Sequence, residues 1–338
     1  MKKKLAFLIL LVFTLTGRPG MLKAQTVPEY ILDKKIALSG DGSYDYLLVD
    51  PTARRLYVSH GTTVHIIDLN TEAQIGIIEN MQGVHGIAIS HEVNKGFISD
   101  GKANAVVVFD LSDFKTVAII PIAGKKPDGI TYDPFSGKVF AFNGGSNNAS
   151  VIDINSLKEV ATIDLGGAPE FAASDGHGKI YNNLEDKSSL NVIDTKSMRV
   201  IANYPLSPCG GPTGLALDLI HQRLFTVCRE NKGMSVVDLR TGKVITTLPI
   251  GAGVDAVAYD PETKLVFCSN GDGTTTVIVQ ETPDSYKVIQ SLPTQFRAKT
   301  LALDPVTHKI YLSVVDFQNG SKNAVAGSFH VLVFKPKS

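Results

Sequence analysis

A unit of four short apolar runs recurs seven times along this chain, and no other feature restricts the fold so tightly. The clearest copy is Pro127 to Leu165. Its runs ITY, KVFAF, SVIDI and EVATIDL are separated by Asp133-Pro134 with Ser136-Gly137, by Asn143 and the following Gly-Gly-Ser-Asn-Asn, and by Asp153 with Asn155-Ser156. The runs are β-branched and aromatic and too short for helices, so they predict strands joined by tight turns. Anchored on Asp133, the equivalent positions are Asp50, Ser90, Asp175, Asp218, Asp260 and Asp304, at spacings of 40 to 44 residues. Soon after each anchor comes a strand ending in an aromatic: Tyr57, Phe97, Phe140, Tyr181, Phe225, Phe267 and Tyr311. Further on, Asp68, Asp110, Asp153, Asp194 and Asp238 open turns, where a carboxylate caps backbone N–H groups; they and the anchor Asp-Pro pairs read as scaffold.

Seven antiparallel four-stranded units at this period predict an all-β, seven-bladed β-propeller; parallel β-helices have shorter repeats. Two positions before the anchors stand Leu48, Ala88, Thr131, Ala173, Ala216, Ala258 and Ala302. Four before stand Tyr46, Gly86, Gly129, Phe171, Gly214, Ala256 and Thr300. Alternate residues share one face of a strand, so this mostly small face suits the innermost strand, where blades crowd the axis. After Val331 to Phe334 too little chain remains for an outer strand, whereas Tyr30 to Leu38 reads as one. The N-terminal segment is expected to complete the last blade and close the ring, protecting its edge.

Residues 1–24 have the layout of a secretory signal peptide: Lys2 to Lys4, an apolar run from Leu5 to Leu15, and Leu22-Lys23-Ala24 before Gln25. The run is too short to span a bilayer, and no later stretch is long and apolar enough. The expectation is an exported, monomeric chain, periplasmic or secreted, with one domain over 25–338. Cleavage changes the balance of 33 basic and 33 acidic side chains to 28 against 33. That mildly acidic balance, with no basic cluster in the mature part of the sequence, argues against nucleic-acid binding. Cys209, Cys228 and Cys268 form no C-x-x-C pattern. Cys209 and Cys228 fall on one face of the fifth repeat, where a bridge or two thiols are both open; Cys268 reads as a buried small apolar residue.

Tyr57-Val58-Ser59-His60 followed by Val64 to Asp68, Phe140 to Asn143 with Ser150 to Asp153, and the steps Pro127-Asp128-Gly129 and Pro212-Thr213-Gly214 resemble the repeats of YVTN-type (YncE-like) β-propellers. The resemblance runs over residues 30–334 and implies the propeller fold. It implies no single function, since such propellers include binding proteins, surface proteins and relatives of cofactor enzymes.

Five residues before each anchor stand Asp45, His85, Asp128, Glu170, Thr213, Asp255 and Lys299. A propeller gathers these strand entrances round the mouth of its central channel. Crowded carboxylates must protonate, pair with Lys299 or bind a cation. Asp45, His85, Asp128, Glu170 and Asp255 are therefore candidate metal ligands, for Ca²⁺ by their oxygens or for Zn²⁺ or Cu²⁺ through His85. The alternative is a solvated ring of screened charges. Loops on the same face offer His60, Asp100, Asn143, Arg229 and Asn270, which with Lys299 form a candidate site for a small polar ligand or an exported protein partner. The insertion Asp316 to Ser328 could serve as a lid or partner contact. The motifs of common hydrolases, P-loop proteins and dinucleotide enzymes are missing. The favoured expectation is a noncatalytic binding scaffold. The alternatives are a lactonase-like or metal-assisted hydrolase, with His85 or His60 moving protons, and a subunit related to quinoprotein dehydrogenases, as the resemblance allows.

Overall fold

The computed structural model describes residues 28–318 and 323–337; the leader-like segment and part of the seventh-blade insertion lie outside the described residues. Seven separate four-stranded antiparallel sheets follow one another along the chain. Each begins with an inner strand: Tyr44–Asp50, Val84–Ser90, Pro127–Asp133, Pro169–Ser174, Pro212–Asp218, Val254–Asp260 and Leu301–Leu303. These head blades 1 to 7. The seventh blade is completed by Tyr30–Ala37, which pairs antiparallel with His330–Pro336, from Tyr30↔Pro336 to Ala37↔His330. The expected closure is the observed one.

The core is a set of layers between blades, a direct result of the two-residue period of strands. In blade 3, Val139 and Ala141 face blade 2, while Phe140 and Phe142 face blade 4. The repeated aromatic of each second strand fills the gap toward the following blade: Tyr57 toward blade 2, Phe97 toward blade 3, and so on to Tyr311, which packs toward blade 1. Near the axis there is little room. A Cβ on Gly86 would lie 2.9 Å from the Asp128 carbonyl oxygen, and one on Gly214 would lie 2.7 Å from Ala256 Cα.

The repeated aspartates do what their turn context predicts. Asp68 accepts N–H bonds from Asn70 and Thr71 at 2.9 and 2.7 Å, and Asp238 accepts from Arg240 and Thr241 at 2.9 and 3.0 Å. The anchor aspartates do more, because several also reach another blade. Asp50 meets His91 at 3.0 Å, Asp133 accepts from Ser174 at 2.6 Å, and Asp218 accepts from Gln280 at 2.9 Å. Asp260 meets His308 at 2.7 Å, and Asp304 holds the Arg54 guanidinium through two bonds of 2.7 Å. These latches lie on the face opposite the inner-strand entrances, and the last joins blade 7 to blade 1. Cys209 and Cys228 form a disulfide, and Cys268 is buried and free. No helix among the described residues is long and apolar enough to cross a membrane.

Candidate binding site at the channel mouth

Inner strands enter the ring at one face, so their second residues converge on the channel mouth. Most of the seven positions fall into two groups. On one side, His85 Nδ1 lies 2.7 Å from Asp45 Oδ2 and 3.7 Å from Asp128 Oδ1. Ligand atoms of Asp45, His85 and Asp128 all fall within 4.8 Å of one another. On the other side, Asp255, only 8% exposed, receives Arg229 Nη2 on one oxygen and Lys299 Nζ on the other, the latter at 2.5 Å. Arg229 also bonds Glu185 Oε1 at 2.5 Å. Thr213 is fully buried and serves neither group.

Charge follows from this division. Burial lowers the affinity of His85 for its proton, but the hydrogen bond to Asp45 and the charges of Asp128 and Asp45 outweigh it, so His85 binds its proton more tightly than a free histidine. Burial and the neighbouring Asp45 raise the Asp128 carboxyl above the usual range, although 37% of its side chain still meets solvent through the mouth. Glu170 is pushed up to about 9 by burial, by the charge of Asp128 and by a hydrogen bond to Glu185. It therefore carries a proton at neutral pH and donates it to Glu185, which Arg229 holds from the far side. With Glu170 neutral, the carboxylates of Asp45, Asp128, Glu185 and Asp255 meet the cations His85, Arg229 and Lys299, so the two signs nearly balance at the mouth.

Two aromatics floor this cup. Tyr46 and Phe171 meet across the axis with ring centroids 4.6 Å apart and ring planes tilted by 35°. Beyond them the channel widens into an apolar cavity of about 440 Å³, lined among others by Leu48, Ala88, Ile130 and Ala172. The signal in the sequence was the presence of Tyr46 and Phe171 in a register otherwise filled by small residues.

Four expected ligand-binding side chains lie at this end of their strands but are buried beneath the face. His60 is 2% exposed and stacks on Phe329, with ring centroids 3.7 Å apart. Burial, then the charge of His65, lowers it to about 4, so it stands neutral away from the mouth and cannot move protons there. Asp100 is buried and accepts the Gln82 and Gly83 N–H groups, each at 2.8 Å. Asn143 bonds Asn148 and Ser150 at 2.8 and 3.1 Å; Asn270 bonds Thr274 and Thr276 at 3.0 and 3.1 Å. Each ends a second strand and turns inward, binding its own hairpin or the adjacent loop. These positions are corrected from ligand contacts to internal supports. Arg229 and Lys299 do reach the mouth, and Glu185 joins them. In the insertion, the described part includes Phe317, which packs edge-on against Phe296, with centroids 5.6 Å apart.

No family profile and no curated protein matches the chain. Its fold does match solved structures. Hydrazine synthase of Kuenenia stuttgartiensis superposes with a TM-score of 0.69 at 17% identity, covering 81% of this chain and 94% of that one. U3-55K superposes with a TM-score of 0.75 at 10% identity, covering 89% and 98%. The WD40 repeats of RRP9 give 0.74 at 10%, covering 88% and 96%. At these identities the likeness shows the β-propeller fold and nothing finer.

Proposed function

We propose that this propeller is an exported, noncatalytic binding protein that takes a divalent cation and a small polar ligand at its channel mouth, within the YVTN-type group its repeats resemble. The convergence of Asp45, His85 and Asp128 within 4.8 Å carries the reading. Two carboxylates and an imidazole suit Zn²⁺ or Cu²⁺ better than Ca²⁺, which takes six to eight oxygens. A stiff ring supplies preorganisation, since the ligands sit on neighbouring strands whose spacing is set by packing. Metal binding displaces the proton that His85 holds against Asp45, so affinity rises with pH until the imidazole is neutral. The leader-like segment and the Cys209–Cys228 bridge support an oxidising compartment.

The test is thermal melting of the full chain after EDTA treatment, then with Zn²⁺, Cu²⁺ or Ca²⁺ added. Ligands that bind only the folded state raise the melting temperature saturably. A rise with Zn²⁺ or Cu²⁺, abolished in Asp45→Asn/Asp128→Asn, supports the site; no rise with any metal rejects it. The Asp45–His85 hydrogen bond favours a second reading, a metal-assisted hydrolase in which this pair moves protons. Metal-dependent turnover of esters or lactones, lost on His85→Asn, would select it.

A further inference from the structure

Beside the mouth, a groove of about 570 Å³ opens between blades 2 and 3. Its inner end is formed by His85 and Asp128 and its flanks by Lys102, Lys125, Lys126 and Asn104. We infer that this groove receives a small, multiply charged anion through the ammonium groups of Lys102, Lys125 and Lys126. The inference names the ligand class of the same face, and so rests on the reading of that face as a polar-ligand site.

Lys102 lies in the blade 2 hairpin, and Lys125 and Lys126 in the loop entering blade 3, so only the fold assembles this basic cluster. Among the described residues none of the three ammonium groups has a protein partner, in contrast to Lys299, Lys138 and Lys309, which are ion-paired. Unpaired like charges round a concave surface focus a field that draws in an anion. The backbone beneath them is firmly held. Gly144 and Gly145 donate to the carbonyls of Lys126 and Lys125 at 3.1 and 2.9 Å. The Lys125 and Lys126 N–H groups donate to Ser146 Oγ and Asn104 Oδ1, each at 2.9 Å. The loop is thus set before a ligand arrives, which spares ordering cost. At the inner end Gly101 leaves room for the imidazole, since a Cβ there would stand 2.8 Å from His85 Cδ2. The oxygen chemistry is common to phosphates and polycarboxylates.

Calorimetric titration of the full chain with pyrophosphate, and separately with citrate, tests this without divalent cations, because both anions bind metals in solution. Saturable binding that weakens steeply with salt, and by about tenfold or more in Lys125→Glu/Lys126→Glu, is expected. Binding of pyrophosphate alone identifies a phosphate site; binding of citrate alone identifies a carboxylate site. Lys102→Met should also weaken binding, and the melting temperatures of these exposed-lysine variants should match wild type. Absence of saturable binding, or equal affinity in the lysine variants, overturns the inference. A parallel titration with Zn²⁺ alone separates the two readings. Zn²⁺ binding without lysine-dependent anion binding overturns the inference and leaves the cation site standing, and the opposite pair of results does the reverse.

Discussion

Glu170 gives the sharpest test of the mouth's electrostatics, because its effect runs opposite to that of an ordinary surface carboxylate. Burial and the Asp128 charge push it up to about 9, whereas a free glutamate titrates near ~4.3. Between those values the folded protein keeps a proton that the unfolded chain releases. Native protein then binds more protons than unfolded protein, so stability falls as pH rises across this window. At about 1.4 kcal/mol per unit the full effect would approach ~6 kcal/mol. Water in the open mouth and the shared hydrogen bond to Glu185 screen much of it, leaving an expected ~1–2 kcal/mol. Glu170→Gln keeps the shape and can still donate a hydrogen bond to Glu185, but it cannot ionise. The variant should match wild type near pH 5 and become more stable by ~1–2 kcal/mol near pH 8.5, roughly 2–4 °C in melting temperature. Urea unfolding and thermal melts of both proteins across that range provide the measurement. A variant that is less stable than wild type at pH 8.5, or an unchanged pH slope, would refute the reasoning.

The Arg54–Asp304 latch should matter for ring closure: Arg54→Ala leaves a fully buried carboxylate without its cation and should cost ~3 kcal/mol by urea unfolding. Burial raises Asp304, but the Arg54 and Thr307 hydrogen bonds outweigh it and hold the carboxyl below its usual range. The latch's contribution is therefore present above the unfolded aspartate value and lost as pH falls through the lower folded one, so wild type and variant should converge in acid. Deleting residues 25–38 removes the strand covering His330–Pro336 and should yield aggregated or unfolded protein by light scattering and circular dichroism; a soluble, cooperatively melting truncation would count against closure. A thiol assay on the non-reduced chain should find one reactive group, Cys268, and only after denaturation.

The blades were legible because spacing, anchors and aromatics each report a local requirement that recurs in every copy. The gathering of Asp45, His85, Asp128, Asp255 and Lys299 followed from topology, since a shared register becomes a shared place once the ring is closed. The second-strand ends were misread because nearness to a loop was taken for exposure. The equivalent residues Leu184, Cys228 and Val314 carried the missing signal: an apolar residue recurring at one register marks an inward-facing position, and a polar residue there must find an internal partner. The lysine groove had no such signal. Lys102 stands far along the chain from Lys125 and Lys126, and only the approach of a hairpin to a neighbouring loop makes them one surface.

The pairing of Tyr30 with Pro336 has a geometric consequence for presentation. Inner strands start at the mouth, so His330–Pro336 runs away from that face and Tyr30–Ala37 returns toward it. Tyr30 and Pro336 thus lie together at the outer rim of blade 7, on the side remote from the cup. Chain continuing outward from Tyr30 or from Pro336 therefore leaves from the back of the disc, on the side away from the cup and its lysine-lined flank.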